Sequence, residues 1–213
     1  MRVRLVALAA TTVLLLPLVC RADLIDRVLA VVGGTVITQS DATAALAFGL
    51  VRPPGPGVDR LRAALDQLIR REIILAEVDR YAPTESDPSA LRKALDQVQA
   101  GFPTPALYQA ALARTAMNDT RLRDIVEANV RIDDYLKQRF GVAEPTDEEL
   151  AQYWAAHRAQ FLSGGRQLVL DEARSDVRQR LIDQKREAVI DDWVARLRRR
   201  AEVTDLYFAD VGR

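Results

Sequence analysis

The side chains that most often carry out chemistry in proteins are scarce in this sequence. It contains one histidine, His157, and one cysteine, Cys20. A histidine-based nucleophile site needs further polar partners, and a zinc site needs several nitrogen or sulfur ligands. His157 falls in a predicted helix beside Trp154 and Arg158, where a partly exposed histidine without a catalytic role is the favoured interpretation. The sequence therefore predicts no catalytic residue, no metal site and no cofactor.

Other patterns that can indicate a site have simpler structural explanations. Gly33-Gly34 lacks the lysine that follows the glycines of a phosphate-binding loop. Adjacent residues on a helix do not face each other, so neighbouring acids make poor carboxylate dyads. The pairs concerned are Asp133-Asp134, Glu148-Glu149 and Asp191-Asp192.

A run of arginines closes the last predicted helix. Its members are Arg196, Arg198, Arg199 and Arg200. Cations in the last turns of a helix interact favourably with the negative end of its dipole. We therefore interpret the run as a helix terminus, with a nucleic-acid or lipid patch as the alternative.

The first residues have the layout of a secretory signal peptide. Two arginines, Arg2 and Arg4, precede an apolar stretch of fifteen residues, Leu5 to Val19. As a helix this stretch would cover about 22 Å, which is short of the ~30 Å hydrocarbon core of a membrane. Cys20 and Ala22 then stand three and one residues before a cut.

We therefore predict a signal peptide over residues 1–22, with cleavage between Ala22 and Asp23. The alternatives are an uncleaved membrane anchor and a lipoprotein modified at Cys20. The short apolar stretch disfavours the anchor, and Val19 before the cysteine disfavours the lipoprotein.

Export would place residues 23–213 in the bacterial periplasm, without stable insertion in the membrane. Cleavage removes the only cysteine, so the exported chain would form no disulfide. It also leaves 27 basic residues against 30 acidic ones, a balance that argues against nucleic acid as a partner. The length predicts one domain, and the abundance of Ala, Leu and Arg predicts a helical one.

A β-hairpin is predicted at the start of that domain. Residues 25–32 are rich in β-branched side chains, and Gly33-Gly34 is typical of a type I′ turn. Thr35–Thr38 returns as the second strand. Asp41 lies three residues after Thr38, in the spacing of a capping box that begins a helix; Ser40 is the alternative cap.

The rest of the chain predicts helices separated by proline and glycine. Their approximate ranges are 39–50, 59–81, 89–100, 105–115, 119–140, 146–160 and 171–202. Gly141 is predicted in the left-handed conformation that ends helices. Val189 is predicted on the inward face of the last helix. Ser163-Gly164-Gly165 is predicted as a loop.

A final strand is predicted over residues 203–208. Because a lone hairpin is marginal in water, a third strand would stabilise it. We therefore expect this strand to pack near, and to pair with, the Val28–Val32 hairpin. The predicted fold class is mostly α, with a small N-terminal β-hairpin joined by a C-terminal strand.

Five segments, in order along the chain, resemble the chaperone module of SurA-like periplasmic folding factors. They are residues 25–41, Leu65-Asp66-Gln67-Leu68-Ile69 with Arg71 and Ile74-Leu75, Leu122-Arg123-Asp124-Ile125 with Val130, residues 145–150 with Tyr153-Trp154, and residues 197–203. Together they extend over nearly all of residues 23–213. The resemblance implies a SurA N-terminal-like helical domain that holds unfolded segments of outer-membrane proteins.

The family usually carries parvulin-type prolyl isomerase domains before its last helix, and this chain departs from that pattern. Only nine residues lie between Phe161 and Asp171, whereas a domain needs at least ~50. The resemblance therefore implies a chaperone module alone, not an enzyme.

We expect an ATP-independent holdase whose partners are extended segments of unfolded exported proteins. The alternatives are a periplasmic adaptor for one folded envelope or secretion partner, and an isomerase of unrecognised type. The sequence does not identify the residues of the binding groove.

Overall fold

The computed structural model describes residues 26–53, 55, 57–81 and 85–207. The predicted signal peptide and its cleavage site at Ala22 and Asp23 lie outside these residues. The described chain is mostly helical, as predicted, with a small N-terminal hairpin and a further strand near the C-terminus. The strands are β1 (Val28–Val32), β2 (Thr35–Thr38), β3 (Leu162–Ser163), β4 (Arg166–Gln167) and β5 (Val203–Asp205). The helices are α1 (Gln39–Ala47), α2 (Arg60–Tyr81), α3 (Pro88–Ala100), α4 (Pro105–Arg114), α5 (Asp119–Arg139), α6 (Asp147–Ala156) and α7 (Leu170–Arg198).

The two ends of the described chain meet in one small sheet. Gly33 and Gly34 have φ angles of 55° and 91°, the positive values that a type I′ turn requires. β5 pairs antiparallel with β1, with Thr204 opposite Val31. The predicted pairing of the terminal strand with the hairpin is confirmed. The strand order is β2-β1-β5, so β2 and β5 are the sheet edges.

Helix α2 lies at the centre of the main hydrophobic core. Leu65 and Ile69 on this helix are fully buried. It contacts β1, β2, α1, α5 and α7, so most of the fold packs around it. The predicted capping box fixes the junction between the sheet and α1, since Thr38 and Asp41 bond reciprocally.

A second core joins α3 and α4 to α1 and the start of α5. Its centre is an aromatic cluster of Phe48, Phe102 and Tyr108, with ring centroids 5.5–6.1 Å apart. The Tyr108 hydroxyl donates a hydrogen bond to Asp119 at 2.8 Å, which satisfies its polar end. Such edge-to-face contacts add to the stability gained from burial alone.

Helix α6, the β3–β4 hairpin and the first half of α7 form an arm with its own core. Leu150, Phe161 and Val177 are its buried centre. As a helix of 29 residues, α7 is about 43 Å long. Its second half enters the main core through Ile190 and Trp193. One helix therefore belongs to two separate cores.

Three helix ends differ from the prediction. α1 ends at Ala47 rather than near residue 50, because Gly49 takes a φ of 64°. α6 ends at Ala156, and residues 158–160 form a separate 3₁₀ turn. α7 ends at Arg198 rather than Glu202, because the Glu202 carbonyl accepts a hydrogen bond from the Gly33 N–H at 2.9 Å. The tertiary contact with the sheet thus ends the last helix early.

The predicted loop at residues 163–165 contains the Gly164–Gly165 turn of the β3–β4 hairpin, with Ser163 in β3. Two other local predictions were wrong. Gly141 is not in the left-handed region; Phe140 ends α5 with φ −114° and ψ 66°, and its ring lies 5.1 Å from that of Trp193. Val189 is 46% exposed, and Ile190 takes the inward position. A single periodic stripe cannot describe α7, because its two halves face different cores.

Candidate functional site

β2 is an edge strand, and no other strand of the described residues pairs with its outer side. In a hairpin with a two-residue turn, the residues next to the turn, Val32 and Thr35, form a hydrogen-bonded pair. Val31 and Val36 then form the following pair, which makes no hydrogen bonds across the hairpin. The N–H and C=O groups of Val36 therefore point away from β1. The bonds to β5 agree with this assignment. The Gly33 N–H donates to the Glu202 carbonyl and the Leu29 carbonyl accepts from the Leu206 N–H, so Val31, between them, faces β5 rather than β2.

Val36 is the open position of this edge. Thr38 presents the next outward N–H, but that group donates to the Asp41 carboxylate at 2.9 Å. Val36 is 49% exposed. An open edge of this kind accepts an extended polypeptide as an added strand, through main-chain hydrogen bonds that do not depend on sequence.

An apolar cavity of about 210 Å³ opens beside Val36. Strand β2, α1, the segment after α1, α2 and α5 all contribute to its wall. Its apolar lining residues are Val36, Ile37, Ala45, Leu50, Val51, Leu68, Met117 and Ile125. An apolar cavity of about 150 Å³ accommodates a benzene molecule. The space therefore suits one aromatic or branched aliphatic side chain of a strand laid along β2.

The charged residues of the cavity wall are paired with neighbours. Arg121 bonds Asp41 at 2.7 Å, which ties α5 to the capping box of α1. Arg71 donates from Nε to Asn129 at 2.7 Å and forms an ion pair with Glu72. Because each charge has a partner, the cavity interior is neutral and favours an apolar group.

A second, more polar groove lies beside the cavity. It has a volume of about 630 Å³ and lies between α2, α5 and α7. Leu50, Val51, Arg71 and Asn129 line both spaces, so the cavity and the groove share a wall that includes the Arg71–Asn129 hydrogen bond. Its apolar walls include Ile74, Ile132 and Leu136.

Three carboxylates line the second groove, and they differ in their partners. Arg70 bonds Glu187 at 2.8 Å and Asp191 at 2.6 Å. Asp133 forms no ion pair and no hydrogen bond with the described part of the chain. Lys137, one turn further along the helix, pairs with Asp134 at 3.9 Å.

The surroundings of Asp133 disfavour its charge. Neighbouring protein atoms remove water from the carboxyl and raise its pKa; nearby Lys137 opposes this, and Asp134 adds to it. Asp133 is nevertheless an exposed residue, so the loss of water is small. A cation brought into the groove would favour the ionised form.

Some of the residues considered in the sequence analysis line the second groove, and others lie outside it. His157 caps the end of α6 in the arm, outside the groove. Its ring stacks on Tyr153 with centroids 4.2 Å apart, and it is partly exposed as predicted. Of the acid pairs, Asp133 and Asp191 line the second groove, whereas Glu149 belongs to the capping box of α6.

The arginine run at the end of α7 lies outside the groove as well. Arg196 forms an ion pair with Asp192, one turn earlier on the same helix. The helix-terminus interpretation predicted favourable placement of these cations, and Arg196 and Arg198 do lie in the last turn.

No protein-family model matches the chain, and no curated protein matches it significantly. Across the described ranges, no group of three or more His, Cys, Asp or Glu side chains could hold a metal ion. Within the same ranges, no helix has both the length and the apolar character needed to cross a membrane.

Sequence reasoning did not identify Val36 or Asp133 as site residues. For Val36 a signal exists, since the turn position fixes which backbone groups of β2 point outward. For Asp133 no local signal exists, because its groove is formed by α2, α5 and α7 together.

Proposed function

We propose that this protein is a periplasmic holdase that binds extended segments of unfolded exported proteins without ATP. The observation that carries the proposal is the open backbone of Val36 beside an apolar cavity that suits one side chain. Backbone hydrogen bonds would give general affinity, and the cavity would favour segments with a large apolar residue. This combination fits unfolded chains better than a folded surface.

The expected affinity of one site is low. Burial of one apolar side chain contributes about 1.5–3 kcal/mol. Two hydrogen bonds to Val36 contribute about 1 kcal/mol each. A total of about 4 kcal/mol corresponds to a Kd on the order of 1 mM, before the cost of association. A long client offers many such segments, and with one site per protein this raises the apparent affinity by about the number of segments; a larger gain would require several sites to engage the same client at once.

The sequence supports the same proposal in two ways. The predicted signal peptide would place the protein where exported chains are unfolded. The five segments that resemble SurA-like chaperones include α2, α5 and the hairpin, which form the groove. Both points rest on the sequence alone.

Suppression of aggregation tests the proposal directly. We expect several-fold molar excess of the protein to keep a urea-denatured outer-membrane β-barrel protein soluble after dilution, without ATP. Ile125→Trp, which places a large ring in the cavity, should weaken this activity. Leu107→Trp is the matched control, since Leu107 is 50% exposed on α4 outside the groove. No suppression by the unmodified protein at several-fold excess would refute the holdase proposal.

The adaptor alternative gives a different result in a binding experiment. A pull-down that yields one folded partner at fixed stoichiometry, and no unfolded clients, would favour an adaptor. Equal suppression of aggregation by the Ile125→Trp and Leu107→Trp variants would show that clients bind somewhere other than the cavity.

A further inference from the structure

Helix α5 connects the apolar cavity with the second groove. Ile125 lines the cavity, Asn129 lines both spaces, and Asp133 lines the second groove. These residues are four positions apart, so they follow one another along one side of the helix. Eight residues of helix rise about 12 Å. An extended chain covers that distance in three or four residues, at about 3.3 Å each.

The second groove presents negative charge at the end of that path. Its two arginines are already engaged, Arg70 with Glu187 and Asp191, and Arg71 with Glu72 and Asn129. Asp133 is the carboxylate left without such a bond in the described chain. The groove therefore offers an acceptor for a cation. Arg52, which lines a neighbouring depression with Asp133, forms no ion pair with it in the described chain.

The floor around this carboxylate is apolar. Ile74 and Ile132 are 4% and 7% exposed, and Leu136 packs against the same core. The long methylene stem of a lysine or arginine covers apolar surface while its charged end reaches a polar partner. Such a side chain would fit the floor and the carboxylate together.

We propose that the groove selects extended segments in which a lysine or arginine lies three or four residues from the apolar residue held in the cavity. The occupant is an unfolded polypeptide with this spacing, so the inference rests on the proposed function and makes it more specific. Asp133 is the specificity-determining residue. An acidic residue at the same spacing is disfavoured, because it would meet an unpaired carboxylate.

Titration with short peptides, followed by amide chemical shifts of the ¹⁵N-labelled protein, tests the selection. The probes are end-blocked peptides with one phenylalanine in an otherwise uncharged sequence. A single position, three or four residues before or after the phenylalanine, carries Lys, Ala or Glu. Of the Lys peptides, we expect the one that binds best to bind about threefold more tightly than the Ala peptide of the same spacing, as for a partly exposed ion pair. The Glu peptide of that spacing should bind more weakly than the Ala peptide. Raising the salt concentration should reduce the difference.

A substitution that removes the negative charge of Asp133 but keeps the shape of the side chain identifies the residue responsible for the selection. Asp133→Asn should make the Lys, Ala and Glu peptides bind equally. Asp124→Asn is the matched control, because Asp124 carries the same charge on an exposed position of α5 outside the groove. The control should keep the preference for lysine. Neither substitution removes a bond that the described residues form, so both variants should fold.

The outcomes separate this inference from the holdase proposal. Binding of all peptides with equal affinity overturns the charge selection and leaves the holdase proposal intact. A lysine preference that survives in Asp133→Asn also overturns it. Binding of no peptide, with no suppression of aggregation, overturns both. Shifts of the groove residues that depend on protein concentration alone would show that a second copy occupies the groove, and would overturn the selection.

Discussion

Replacement of Val36 by proline separates strand addition from the stability of the sheet. Proline lacks a backbone N–H, and an edge strand tolerates it where that N–H faces away from its neighbour. Val36 meets this condition, because the hydrogen bonds of the hairpin belong to Thr35 and Ile37. We expect Val36→Pro to keep the fold and to weaken peptide binding.

The expected loss of binding free energy follows from the geometry of the edge strand. Of the two hydrogen bonds that a bound strand would form with Val36, the variant loses the one donated by the N–H. One such bond contributes about 0.5–1.5 kcal/mol. The client carbonyl that loses its donor would cost a further ~1–3 kcal/mol if it were fully buried. Val36 is 49% exposed, so water can reach a carbonyl bound beside it and the lower part of the range applies. A loss of about 1.4 kcal/mol raises the Kd about tenfold.

The assay is a titration of each variant with one phenylalanine-containing peptide, with thermal unfolding measured in parallel. Val36→Thr is the control, since threonine is β-branched like valine and retains the N–H. Its Kd should stay within about twofold of the unmodified protein. Ile37→Pro should unfold the hairpin, because the Ile37 N–H faces β1. An unchanged Kd in a stable Val36→Pro protein would show that clients do not add to β2. A fall in Tm as large as that of Ile37→Pro would refute the assignment of the outward N–H.

Three further predictions concern stability. Leu150 is fully buried in the arm, so Leu150→Ala should cost about 2–5 kcal/mol, with faster hydrogen exchange in residues 147–181 but not in α2. Gly34 has a φ of 91°, so Gly34→Ala should lower the Tm in thermal unfolding, by an amount equivalent to about 1 kcal/mol. The hydrogen bond from Lys185 lowers the pKa of Glu149, so this pair stabilises the fold above the unfolded-state pKa of about 4 and ceases to do so as the pH falls below it. Unfolding curves of Lys185→Met should therefore differ from those of the unmodified protein at pH 7 and approach them near pH 3.

Local features of this fold are predictable because the backbone itself requires them. Two consecutive glycines supply the positive φ angles of the hairpin turn. Thr38 and Asp41 form the capping box that their spacing indicates. In each case the interacting groups lie within four residues, so no knowledge of distant parts of the chain is needed.

Some errors arose where a distant contact competes with a local preference. Packing of Phe140 on Trp193 ends α5 without the left-handed glycine that the sequence suggests. The hydrogen bond from Gly33 to Glu202 ends α7 early. In both cases, the partner that decides the outcome lies more than 50 residues away.

By itself, the sequence determined the mostly helical class, the hairpin, most helix positions and the pairing of the terminal strand with β1. These follow from periodicity, turn chemistry and the instability of an isolated hairpin. Only the tertiary structure placed the cavity beside Val36 and the Asp133 carboxylate in a groove. A concave site of this kind is the space left between α2, α5, α7 and β2. The packing of these distant elements determines its shape, and no local sequence pattern encodes how they pack.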